Sequence, residues 1–415
     1  MQDHVSSSDT FTLIKKCRLC SSEVLFDVLD LGDQPPANSL KAMQSQSEMM
    51  VPLELVQCQN CSAVQLTATI DPQYLFNEYV WVTGTSSTAK NYSQFYCDEV
   101  LKRCSVNKPF VVEVASNDGT FLKKFMERGC EVLGVDPAQN IAQLANKNSI
   151  PTCADFFTTE LADDLLKKKS KANIVMARNV IPHVKAIHSI VSGMAKLVEE
   201  EGLVVIEFHY AKKIVEELHY DSIYHEHLFY FSIKSLSKLF EQYGLHPFDV
   251  FSSPISGGSL VLFFSKQKQS PTAALLKLIQ EETLSQLNNY EIWRDFGKKS
   301  ISHANSLKAV VEQYVSVAPL VAYGASARSS TLLNFCKITN KEVEFVIDQN
   351  QMKHGLFTPG TSIPIISFED GVKRLEGKNL LLLAWNFEDE IVSDLRSAGY
   401  NGVIIVPLPG EVRTR

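Results

Sequence analysis

From residue 110 onward, short apolar runs alternate with amphipathic stretches in a regular rhythm. Phe110-Val-Val-Glu-Val114 is β-favouring and almost wholly apolar, the composition of a strand buried on both faces of a parallel sheet. Ser116-Asn-Asp-Gly119 carries turn and N-cap chemistry, and 120–128 reads as an amphipathic helix. A second apolar strand over 132–135 ends at Asp136. A helix over 138–148, a short strand near 151–154, a fourth strand over 173–177, another helix and a fifth strand over 203–208 follow. This βαβαβαβαβ order indicates a parallel core. Beyond it 232–243 is amphipathic, and 248–251 and 258–265 read as two strands that give the sheet an antiparallel end. From 271 to about 317 the pattern is helical, a bridge to a last α/β unit with strands over 320–324, 343–347, 380–385 and 403–406. Ahead of residue 110 the pattern is sparser, with short strands expected over 25–31 and 53–56.

At 415 residues the chain exceeds one comfortable core, so two or three domains are expected. A net charge of −7 supplies no basic excess to neutralise phosphates, which argues against a nucleic-acid or anionic-membrane partner. No apolar run reaches spanning length, and residues 1–10 are polar and serine-rich, so neither a membrane segment nor a secretory signal is expected. Nine cysteines are few for this length, and a reducing cytoplasm is the expected location.

Four of those cysteines are paired. Cys17-Arg-Leu-Cys20 and Cys58-Gln-Asn-Cys61 form two CxxC knuckles with thirty-seven residues between them. Each knuckle bites one Zn²⁺ through two thiolates, and two knuckles complete a tetrahedron. Four ligands leave no open position, so the metal is expected to be structural, holding a small cap with a thin core. Reduced structural cysteines or disulfides are the alternatives.

The turn after the first strand suits a nucleoside cofactor. Asp136, eighteen residues after Asp118, stands where an acid can bond the two hydroxyls of a ribose. Below Glu113, the residues Ala115, Asn117 and Gly119 occupy the alternate positions where S-adenosylmethionine enzymes usually carry Glu/Asp-x-Gly-x-Gly-x-Gly. Asn117 and Asp118 can meet the amino and carboxylate ends of a methionine moiety, whereas Asp118 would repel a diphosphate. S-adenosylmethionine therefore fits better than a dinucleotide; an ordinary βα turn is the bland reading. Asp155 and Phe156, at the third strand tip, are placed to take an adenine by its amino group and its face. Asn179 and His183 sit at the end of the fourth strand, facing the cleft at the switch point.

The densest chemistry lies in 219–230, with three histidines, three tyrosines, a glutamate and an aspartate in twelve residues. His225, Glu226 and His227 could bind a divalent ion. In an extended segment, however, His225 and His227 share one face and Glu226 takes the other. The same residues suit a general base oriented by a carboxylate and paired with a tyrosine donor, and catalysis is the preferred reading. A buried structural network is the third. Earlier, Tyr74, Phe76, Tyr79 and Trp81 precede the hydroxyl-rich 83–88, either a sugar platform or core packing with a helix N-cap. In the last unit, Ala325-Ser-Ala-Arg328 opens a helix that could receive a phosphate, with Arg328 adding a charge-assisted bond.

Taken in order, these stretches resemble the sugar-nucleotide C-methyltransferases, the group typified by D-tetronitrose 3′-C-methyltransferase. The resemblance is carried by the two CxxC pairs, Gly32-x-x-Pro35-x-Ala37-Asn38, Glu113-x-x-Ser116-Asn-Asp-Gly119, Asn179-Val-x-x-His183-Val and Tyr224-His-Glu-His227. In the C-terminal part it rests on Tyr323-Gly-Ala325, Asp348-x-x-x-x-Lys353-x-Gly355, Pro359-Gly-Thr361 and Ala384-Trp-Asn386. Ala115 departs from it, glycine being usual there. The resemblance implies a zinc-binding domain over 1–75, a Rossmann-like class I methyltransferase core over 76–268, and a smaller Rossmann-like domain over 269–415 that contributes to nucleotide-sugar binding. It implies methylation of a carbon next to a ketone in a deoxy-ketosugar carried on a nucleoside diphosphate. His227 would be the base, Tyr224 and Glu226 would surround the ketone and its enolate, and His183 and Tyr79 would line the same pocket. His225, Tyr323, Arg328 and Lys353 are the expected substrate contacts, and a monomer is expected. An O-methyltransferase on a small metabolite, or a non-catalytic zinc-containing binding protein, is the competing class; neither needs both a base and an enolate donor.

Overall fold

A computed structural model describes residues 11–76, 83–85 and 87–415. Tyr79 and Trp81 lie outside the described residues. The central sheet has seven strands in the order His246–Ser253, Ser259–Ser265, Val198–His209, Ala172–Arg178, Phe110–Val114, Glu131–Val135, Thr152–Cys153. Strand Ser259–Ser265 runs antiparallel to both neighbours, and the other pairings are parallel. The expected antiparallel end is therefore a hairpin whose inner strand is the reversed one.

Phe110–Val114 sits inside the sheet, between Ala172–Arg178 and Glu131–Val135, because it has almost no polar face to offer water. Val112 and Val114 pack into one core with Met194 and Leu197, while Val111 points into a second core with Phe121, Leu122 and Phe125. Helices thus cover both faces, the doubly wound arrangement expected from the alternation. Phe121, Leu122 and Phe125 lie on the buried stripe of helix Thr120–Glu127 and are each at most 1% exposed, contributing roughly 1.5–3 kcal/mol apiece.

The C-terminal unit repeats this plan. Its six strands run in the order Ile365–Ile366, Val343–Ile347, Leu320–Tyr323, Asn379–Leu382, Ile404–Val406, Arg413–Thr414, parallel except for the last. The strand order reverses beside Leu320–Tyr323 as it does beside Phe110–Val114, which places a crevice at each carboxyl edge.

The N-terminal sheet differs from expectation. Leu25–Gln34, Val51–Cys58 and Val64–Leu66 form an antiparallel meander. Its fourth strand is Phe229–Tyr230, from the histidine-rich segment after the central sheet's fifth strand. The bridging region is two helices, Ala273–Leu284 and Tyr290–Val315, and the second packs on this same sheet. A Cβ on Gly297 would lie 2.1 Å from the Val28 carbonyl oxygen, so glycine is what allows the helix that close. A further link joins the first and last units: Lys41 and Phe357 exchange backbone hydrogen bonds of 2.9 and 2.8 Å, and Lys41 Nζ reaches Glu48 and Ser362. Among the described residues no helix is long and apolar enough to cross a membrane.

Candidate active site

The turn after Phe110–Val114 has an unusual backbone. Ala115, Asn117 and Gly119 have φ of 54°, 52° and 77°, so the three alternate positions are all left-handed. Only glycine enters this region freely, which is why such turns usually carry glycine at each. At Gly119 the requirement is also steric, because a Cβ would lie 2.7 Å from Ile150 Cγ2. Asp136 fixes the turn: Oδ2 accepts the Asn117 N–H at 2.8 Å and Oδ1 accepts the Ala138 N–H at 3.0 Å. Burial pushes its carboxyl above the usual range although both N–H groups oppose the shift.

Asn117 and Asp118 are engaged in a way the sequence did not reveal. Asn117 Oδ1 accepts the Thr83 N–H at 2.8 Å and Asp118 Oδ2 the Gly84 N–H at 3.0 Å, so both side chains bind 83–85 across the turn. Asp155 and Phe156 are exposed beyond Thr152–Cys153, at the rim of the crevice. Asn179 is left-handed at φ 51°, with its N–H on the Glu207 carbonyl at 2.7 Å. Glu113 lies beneath the turn, buried, 3.6 Å from the Arg178 guanidinium that also binds Glu207 at 3.0 Å. Burial raises the Glu113 carboxyl to about 8 against the pull of Arg178. The residues fit S-adenosylmethionine: Asp136 could meet the ribose and the exposed Phe156 the adenine.

The four knuckle thiols converge, with all Sγ atoms within 4.8 Å of one another. Cys17 and Cys61 are 3.5 Å apart and Cys20 and Cys58 3.6 Å, close to the roughly 3.8 Å edge of a tetrahedron with Zn–S of about 2.3 Å. Gln65 Nε2 and the Leu19 N–H donate to Cys17 Sγ, as thiolate ligands require. The residues fit a closed structural zinc site. Among the described residues it is the only cluster of three or more ligating side chains, so the alternative ion site at His225, Glu226 and His227 is not formed.

That segment is a turn, and the expected shared face of His225 and His227 does not occur. His225 Nε2 donates to the Val51 carbonyl of the N-terminal sheet at 3.1 Å. His227 turns toward His183, their rings edge to face with centroids 4.6 Å apart. Its Nδ1 lies 3.1 Å from the Ser222 carbonyl oxygen, which can only accept, so Nδ1 carries the proton. Nε2 is then the basic nitrogen, and it accepts from the Tyr224 hydroxyl at 2.7 Å. Burial, followed by the neighbouring His183, holds His227 well below the ordinary histidine range, and burial lowers His183 to about 4. Glu226 is 5% exposed, and its Oε1 accepts from Asn38 Nδ2 at 2.6 Å. Burial raises its carboxyl to about 7, with Asn38 pulling the other way.

On the C-terminal side, Arg328 gives Nε and Nη2 to Asp221 at 3.0 and 2.9 Å, with its guanidinium over the Trp385 ring. Trp385 Nε1 donates to the same carboxylate at 2.8 Å. Lys353 Nζ is bonded to the Ala325 carbonyl at 2.8 Å and to Asp348 at 3.3 Å, and the Tyr323 hydroxyl accepts from Gln349. The structure thus gathers Tyr224, Glu226, His227 and His183, and leaves Tyr323 and Lys353 in the C-terminal crevice with partners of their own. Asn38, Asp221 and Trp385 were not singled out from the sequence. Asn38 and Trp385 stood inside quoted motifs, but their partners lie 188 and 164 positions away.

Comparison with known proteins agrees with this layout. A zinc binding domain family matches residues 17–76, a methyltransferase domain family 89–248, and a C-methyltransferase C-terminal domain family 254–409. The C-methyltransferase NovU of Streptomyces niveus is 31% identical over 403 residues, covering 95% of this chain and 96% of that protein. Solved methyltransferases overlap the chain partially. The magnesium protoporphyrin IX methyltransferase of Synechocystis, with bound SAM, is 10% identical over 42% of this chain and 79% of its own, with a TM-score of 0.33. The 1,6-didemethyltoxoflavin-N1-methyltransferase of Burkholderia thailandensis is 17% identical over 45% and 81%, with a TM-score of 0.34. With a zinc-binding domain, a cofactor cradle and a relative aligned along nearly its whole length, the chain belongs to the S-adenosylmethionine-dependent C-methyltransferases.

Proposed function

We propose that the substrate is a deoxy-ketosugar carried on a nucleoside diphosphate, and that His227 removes a proton from the carbon next to its ketone. The observation that carries this reading is the tautomer of His227. Ser222 holds the proton on Nδ1, so Nε2 is the basic nitrogen, and its lone pair is held by the Tyr224 hydroxyl until a substrate takes that donor. Burial keeps that lone pair unprotonated at neutral pH.

S-adenosylmethionine supplies an electrophilic methyl group when bound. As the Tyr224 hydroxyl turns from His227 Nε2 to the ketone oxygen, Nε2 is released to take the α-proton; the C–H bond breaks and its electron pair moves into the enolate. The Tyr224 hydroxyl and the protonated form of Glu226 are donors for the enolate oxygen, which is where charge develops. That carbon would take the methyl group from the bound cofactor, which leaves with the sulfur–methyl electron pair as a neutral thioether, so the ketone is restored; the protein's further contribution is alignment. His183, edge to face against His227, completes the pocket wall. We assign 1–75 to the zinc-binding domain, 76–268 to the cofactor domain and 269–415 to the domain that receives the nucleotide, with Tyr323, Lys353 and Arg328 as its polar contacts.

The test is hydrogen exchange. With S-adenosylhomocysteine bound, the substrate's α-hydrogen exchanges into deuterated water in wild type and fails to in His227→Ala, whose turnover falls by roughly two to four orders of magnitude. Exchange that persists in His227→Ala overturns the assignment.

A further inference from the structure

We infer that Asn38, on the zinc-binding domain, is a positioning residue for methyl transfer: its side-chain amide fixes the Glu226 carboxyl so that one oxygen is held by the protein and the other is left for the reacting ketone. The inference rests on the placing of Glu226 around the ketone proposed above.

The Glu226 side chain is buried, and the 2.6 Å bond from Asn38 Nδ2 to Oε1 is its one hydrogen bond among the described residues. A buried carboxyl without that donor would have no partner to set its rotation. Oε2 therefore remains the oxygen with bonding capacity to spare.

Both ends of the bond are anchored to the same sheet. Asn38 closes the turn Pro35-Pro36-Ala37-Asn38 directly after strand Leu25–Gln34, with the Ser39 N–H on the Pro36 carbonyl at 2.9 Å. Two prolines fix φ there, and Pro35, Pro36 and Ala37 are all buried. Lys41, three residues on, exchanges backbone hydrogen bonds with Phe357. On the acceptor side, His225 is tied to the Val51 carbonyl, and the Leu66 N–H donates to the Leu228 carbonyl at 3.0 Å. The segment bearing Glu226 is thus laid along the zinc-binding domain's own strands, and the amide meets the carboxyl as a consequence of that register.

Among the described residues, three further titratable groups, His183, Lys185 and His225, line the gap in front of Glu226, and the other walls, Thr69, Ile70, Pro72, Leu75 and Leu228, are uncharged. No cation among them takes over from Asn38 as a carboxylate partner, since the carboxyl feels burial and the Asn38 amide. An N–H donor favours the ionised form, so removing it must raise the carboxyl's titration point further.

The test uses the full-length zinc-loaded enzyme and two substitutions. Asn38→Ala deletes the donor. Asn38→Asp keeps its shape but offers only acceptors, and its charge repels Glu226. Carboxyl titration is followed by infrared difference spectroscopy, the Glu226 band being the one absent in Glu226→Gln. Turnover is followed with a nucleoside diphosphate 4-keto-6-deoxyhexose supplied in thymidine and uridine forms. The donor role predicts an upward shift of about one pH unit in both variants, larger in Asp. Turnover falls about tenfold at neutral pH in both, with unchanged KM for S-adenosylmethionine and one zinc retained per chain. A packing role predicts instead that Asn38→Asp is silent, and wild-type titration and turnover in that variant overturn the inference. Glu226→Gln separates the two failures. If it leaves turnover intact, the reading of Glu226 falls; if it impairs turnover while Asn38→Asp does not, the Asn38 inference falls alone.

Discussion

Replacing Asp136 by alanine should weaken the fold as well as the cofactor site, and the two losses can be measured apart. Each Asp136 oxygen receives a backbone N–H, one from Asn117 inside the cradle and one from Ala138 at the start of the next helix. Hydrogen bonds to a charged acceptor contribute about 1.5–3 kcal/mol each. Here burial outweighs both, since the carboxyl titrates above its ordinary value, so the lower end applies. The pair is then worth about 3 kcal/mol. A domain of this size shifts its melting point by about 2–4 °C per kcal/mol, so Asp136→Ala apoprotein should melt roughly 6–12 °C lower. Loss of the ribose contacts adds a weakening of S-adenosylhomocysteine binding by roughly ten- to a hundredfold, read by calorimetry below the new melting point. Asp136→Asn, which keeps one acceptor, should fall between. An apoprotein that melts within 1 °C of wild type, on a scale where about 6 °C is the smallest loss expected, would refute the tie between Asp136 and the turn. Normal binding beside a lowered melting point would leave Asp136 structural only.

Other outcomes follow from the same geometry. Ala115→Gly relieves a left-handed alanine worth about 1–2 kcal/mol, less about 0.4–1 kcal/mol of added unfolded-state freedom, so differential scanning should show no loss and a gain of up to roughly 6 °C; a loss would mean that the methyl group packs. Cys58→Ser should lower zinc content below one per chain and loosen the N-terminal sheet, while added zinc leaves turnover of the loaded enzyme unchanged; elemental analysis of native protein showing no zinc removes the site. Stability should also peak near pH 6.5. His183 and His225, lowered to about 4, and His219, lowered to about 3, bind fewer protons folded than unfolded, so their contribution is present above about 6.5 and lost as pH falls toward 4. Glu113 and Glu226, raised to about 8 and 7, act oppositely and lose their contribution as pH rises through those values. A melting temperature that climbs steadily from pH 6 to 9 would contradict this balance.

What the sequence disclosed was whatever depends on nearest neighbours in the chain. Residues 343–347 form the strand anticipated, and 110–114 likewise, because five consecutive β-favouring residues fold alike wherever a sheet receives them. The knuckle pairs were legible for the same reason, ligand spacing being local. Two-residue strands such as Ile365–Ile366 and Phe229–Tyr230 left no periodicity to read. The shared face foreseen for His225 and His227 assumed a strand that begins only at Phe229. Asn117 and Asp118 looked available for a ligand because 83–85, thirty-four positions upstream, could not be seen to lie across them. Asn38 was quoted within a motif and given no role, since a carboxyl 188 residues away completes its meaning.

The edge strand at Phe229–Tyr230 has a consequence for biosynthesis. Strand Val64–Leu66 leaves the ribosome with one side paired to Val51–Cys58 and the other side open. Its second partner is 162 residues further along the chain, which at 5–20 residues per second is roughly 8–32 s of translation. Zinc can close the two knuckles during that interval, since Cys61 is already made, yet the half-formed sheet presents an unpaired edge of the kind that captures foreign strands. Capture would be relieved only when the nascent methyltransferase core delivers its own segment, so the order of emergence makes the histidine-rich segment the stopper of the first-born domain. Slow translation between codons 67 and 228 should therefore lower the soluble yield of this protein more than an equal delay after codon 231.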